Sequence, residues 1–107
     1  MAISLLYVTT KDIEEARRIS LTLLDRNLIA CANILPQMES IYRWKGEIES
    51  SQECILVLKT VRAKVEETTA AVIELHSYET PCVLEIPVGH AAEGYMNWIN
   101  GEVTSTR

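Results

Sequence analysis

At 107 residues, 48% of them apolar, the chain has the size of one domain, and it reads as a single unit over residues 1–107. A formal charge of −5 with no Lys/Arg run excludes nucleic acid as the main partner, because phosphate binding needs a basic footprint. Three cysteines without a CxxC give no disulfide framework and point to a reducing, cytoplasmic setting, and no apolar run approaches the roughly 18 residues that cross a bilayer.

The N-terminal run Ile3 to Val8 is rich in strand formers and has no basic segment before it, so it predicts a buried strand rather than a signal peptide. Asp12 followed by Glu15 has the form of a capping box. Ile13, Ala16, Ile19, Leu23 and Leu24 then fall on one helical stripe, and Asn27 supplies a left-handed stop. Residues 28 to 35 predict a strand, which Pro36 interrupts with a bulge or an edge position. Beyond it Met38, Ser40, Tyr42 and Trp44 share one face, and Glu39, Ile41, Arg43 and Lys45 the other.

Gly46 offers a turn, and residues 53 to 60 return as a strand, so 28 to 60 predicts one long hairpin. A second helix is expected over 62–76, with Val61, Val65, Val72 and Leu75 on its apolar face. Pro81 ends any helical continuation. A last strand is expected over 82–88, with Pro87 favouring an edge, and a short helix over 92–100 carrying Tyr95, Trp98 and Ile99. Residues after Gly101 are expected to fray. The order β-α-β-β-α-β plus a short helix is the α+β, ferredoxin-like split βαβ pattern. Its central hairpin is too long for a monomer of this size. An aromatic tip projecting past the helices predicts self-association.

The stretch HSYETPC, residues 76 to 82, gathers the main candidate chemistry. His76 is either a metal ligand or proton carrier, or a helix-end histidine whose imidazolium meets the helix dipole. Glu79 and Tyr78 lie in a connection positioned by rigid elements. Cys82 adds a soft thiol, which with imidazole suits copper or zinc, although free cysteines often only pack. For Cys31 and Cys54, inside apolar strand runs, packing is the default. Nothing supplies the paired spacing of a four-ligand structural zinc site. Trp44, Glu53 and Lys59 reach either a common cleft or the two faces of an amphipathic hairpin. No nucleophile elbow and no Gly-rich phosphate loop occurs, so the chain reads as non-enzymatic. An acylphosphatase-like hydrolase ranks last, since "VTTKD" holds neither Arg nor Gly.

The ordered set "LIACANILPQMESIYRWKGEIE", "ECILVLKT", "HSYETP" and "YMNWI" resembles the CutA family of divalent-cation tolerance proteins across nearly the whole chain. The resemblance implies a ferredoxin-like subunit in a tight homotrimer, similar in architecture to PII-type proteins, whose long hairpins extend neighbouring sheets. It implies copper or another divalent cation as ligand, with His76, Cys82 and Glu79 as metal candidates. Tyr42, Trp44, Lys45, Glu53, Lys59 and Tyr78 would line a cleft between subunits. Three features depart from the family pattern: Ser77 where many members carry Pro, Cys82 where many carry Glu, and no cysteine in the first strand. The rival reading is a PII-like sensor or trimeric scaffold whose cleft takes an anionic metabolite or a protein partner through Lys45 and Lys59.

Overall fold

The computed structural model describes residues 2–104. Its elements are β1 (Ile3–Thr10), α1 (Ile13–Asp25), β2 (Cys31–Trp44), β3 (Glu47–Val61), a 3₁₀ turn (Arg62–Lys64), α2 (Val65–Leu75), β4 (Val83–Pro87) and α3 (Glu93–Thr104). The sheet is antiparallel with order β2-β3-β1-β4. This is the expected ferredoxin-like α+β arrangement, with α1 and α2 on one face. Leu6, Val8, Leu56 and Leu58 point to that face and pack against Ile19, Leu23 and Val72. On the opposite face α3 covers one end of the sheet, where Ile99 and Val103 meet Ile3, Ala30 and Val61.

Local signals account for the element ends. Asp12 caps α1 by accepting a hydrogen bond from the Glu15 amide at 2.8 Å. At the other end Asn27 adopts φ 56, and the amides of Asn27 and Leu28 donate to Leu24 and Leu23 carbonyls at 3.0 Å each. That is a Schellman stop, in which Asn tolerates the left-handed backbone. The expected strand therefore begins at Cys31, not at residue 28, because Leu28 and Ile29 complete the cap and sink into the core. Leu24 proves exposed, and the buried stripe of α1 includes Glu15 and Ser20 instead.

Pro36 sits at the register shift between Leu35 and Met38, so the bulge expected there is present and β2 is an edge strand. Lys45 and Gly46 both have positive φ, 50 and 83, and close the hairpin with a two-residue turn. This is the type I′ geometry that follows strand twist. β1 pairs only with Cys54–Val61 of β3. Residues 47–53 of β3 and their β2 partners thus project beyond the body and stretch the subunit to 45 × 28 × 22 Å.

Three boundaries differ from expectation. The second helix starts as a 3₁₀ turn and ends at Leu75, leaving His76 extended at ψ 146. The last strand is Val83–Pro87, so Cys82 stays in the connection before it. Residues 102–104 are helical rather than frayed, because Val103 is buried against the sheet. The remainder of the expected tail, residues 105–107, lies outside the described residues.

Candidate functional site

The connection from α2 to β4 is built around a buried imidazole. His76 Nε2 lies 2.8 Å from the Thr9 carbonyl oxygen, and Nδ1 lies 3.1 Å from the Tyr78 amide. A carbonyl needs a donor and an amide needs an acceptor. The ring is therefore neutral, protonated on Nε2 and accepting at Nδ1. Beside it lies Glu15 of α1, with side-chain exposure of 1% against 0% for His76. The Glu15 carboxylate accepts hydrogen bonds from the amides of Lys11 at 3.1 Å and Ser77 at 2.8 Å. Burial works to raise the Glu15 pKa, but the hydrogen bonds from Ser77 and Lys11 prevail and hold it below the ordinary value of 4.5. Glu15 thus serves two ends of the chain: it closes the start of α1 and anchors a loop 62 residues later.

Tyr78 turns out of this junction. Its ring meets His76 at a centroid distance of 4.8 Å, and its hydroxyl donates to Glu53 Oε2 at 2.7 Å. Burial first, then the Glu53 carboxylate, push the phenol well above its usual range. Glu53 lies on the sheet face away from α1 and α2, as do Tyr42, Trp44 and Glu49, by the alternation of the paired strands. Between this hairpin wall and residues 77–82 opens a cleft of about 500 Å³, whose lining includes Tyr42, Trp44, Glu53, Tyr78, Glu79 and Cys82. Burial and the Glu53 charge raise the Cys82 thiol pKa, so it stays protonated at neutral pH.

Six of the nine residues singled out in the sequence thus meet in one cleft. Three do not. His76 is seated beneath Tyr78 with both ring nitrogens engaged. Within one subunit it does not line the cleft. Lys45 stands at the hairpin tip, 5.9 Å above the Trp44 ring. Lys59 lies near the other end of β3, where its ammonium meets the Tyr95 hydroxyl at 3.1 Å. That hydrogen bond, above all, raises the Lys59 pKa. Within one subunit, no lysine lines this cleft. Thr9, Glu49, Ser77 and Thr80 complete the lining, and Glu49 is the charged residue that was missed. Strand periodicity reveals it, since Glu49 and Glu53 share a face once β3 is known to begin at Glu47.

Fit to a metal is a separate question. Among the described residues no group of three His, Cys, Asp or Glu side chains converges as a ligand set. Cys82 and Glu79 offer donors to the cleft, but one chain by itself does not form a copper site.

The sequence matches the family model described as CutA1 divalent ion tolerance protein over residues 4–102. The divalent-cation tolerance protein CutA of Archaeoglobus fulgidus is 38% identical, over 92% of this chain and 95% of its own length. The Xenopus laevis CutA homolog is 37% identical, and the chain spans 65% of that longer protein. Among solved structures, divalent ion tolerance protein CutA1 from Ehrlichia chaffeensis superposes with a TM-score of 0.91 at 40% identity, covering 94% of each chain. The structure of the periplasmic divalent cation tolerance protein CutA from Archaeoglobus fulgidus does so with 0.92 at 36% identity, covering 94% and 98%.

Proposed function

This chain belongs to the CutA1 divalent ion tolerance family, and from that premise we propose a homotrimeric, non-enzymatic cation-binding protein with copper as the leading metal. The observation that carries the cation part is the charge of the cleft. Glu49, Glu53 and Glu79 line it, and among the described residues no lysine, arginine or histidine does. Such a cleft concentrates cations and repels anions. An anionic metabolite, the alternative suggested by Lys45 and Lys59, meets no counter-charge there from the described residues of one subunit.

The trimer is supported by two unfinished surfaces. On the face away from α1 and α2, Leu35, Leu84 and Ile86 stand exposed, with Leu5, Tyr7, Ile55 and Val57 half-buried among them. Along the projecting hairpin, residues 47–53 of β3 have no strand beside them on the side that β1 leaves free. Exposed apolar area and unpaired strand edges are surfaces that a second copy covers. Copper is favoured over a hard cation by the Cys82 sulfur beside Glu79. Its remaining ligands must come from a neighbouring subunit, since His76 joins only if Nδ1 releases the Tyr78 amide.

A cytoplasmic location accords with three free cysteines, although the solved Archaeoglobus fulgidus relative is described as periplasmic. No helix among the described residues is long and apolar enough to cross a membrane. The test is a copper titration of wild type, Cys82→Ser and His76→Ala, with sedimentation of each. We expect trimers throughout, weaker binding in Cys82→Ser, and binding in His76→Ala equal to wild type. A stable monomer defeats the assembly. Equal, weak copper binding by all three proteins defeats the metal assignment. The rival PII-like sensor keeps one observation in its favour: the cleft is far roomier than a metal ion requires.

A further inference from the structure

We draw no further inference here: the strongest candidate, the side-chain cluster on the sheet face away from α1 and α2 in which Lys59 of β3, opposite Cys31 of β2, meets Tyr95 beside Trp98 on α3, lies on the face that the proposed trimer gives to a neighbouring subunit, and nothing in the structure shows what covers it.

Discussion

The two ends of the connection between α2 and β4 carry similar functional groups and are put to opposite uses. At its start His76 and Glu15 are sealed from solvent, and their polar atoms are spent on backbone partners. At its end Glu79 and Cys82 line a cleft in which, among the described residues, three carboxylates meet no cation. Reactive side chains make a site only where their hydrogen-bonding capacity is left over. Where the backbone has consumed it, the same groups hold the fold, and both nitrogens of the His76 imidazole are engaged in that way within one subunit.

The sharpest way to break this contrast is at Glu15. Glu15→Ala removes the carboxylate that accepts from the Lys11 and Ser77 amides and is expected to cost about 3 kcal/mol in denaturant unfolding. A loss near zero means that the sealed end is not a structural junction. The same group sets a pH dependence. Its pKa is lowered below 4.5 in the folded state, so its contribution is complete above that value and is lost as pH falls through the folded pKa. Stability of wild type should decline on the acid side more steeply than that of Glu15→Gln, which loses the titrating group. Parallel curves would refute the assignment.

His76→Ala comes next, at about 2 kcal/mol, from a cavity and an unmet Tyr78 amide. Its chemical denaturation midpoint should fall while copper affinity is retained. The reverse pattern returns His76 to the list of ligands. Tyr78→Phe removes the hydrogen bond to Glu53 and costs about 1.5 kcal/mol. A loss near zero in denaturant unfolding would show that this hydrogen bond does not tie the connection to the hairpin. Smallest of all, Glu79→Ala at the exposed rim should change stability by less than about 0.5 kcal/mol. A larger loss, seen in thermal unfolding, would erase the distinction between the two ends.

Sequence by itself determined the order of elements, the cap at Asp12, the left-handed stop at Asn27, the bulge at Pro36 and the turn at Gly46. Each is a local matter, settled by backbone dihedrals and by which side chain lies three or four residues away. It also carried the family, through an ordered set of short motifs. Only the tertiary structure decided which way His76 faces, that Glu15 holds a distant loop, and that Lys59 meets Tyr95. Those outcomes rest on pairs far apart in the chain: His76 with Thr9, 67 residues away, Ser77 with Glu15, 62 away, and Lys59 with Tyr95, 36 away. Periodicity reports which face a residue occupies. It does not report what the fold brings up to that face, and the free or spent state of a polar group depends on that partner.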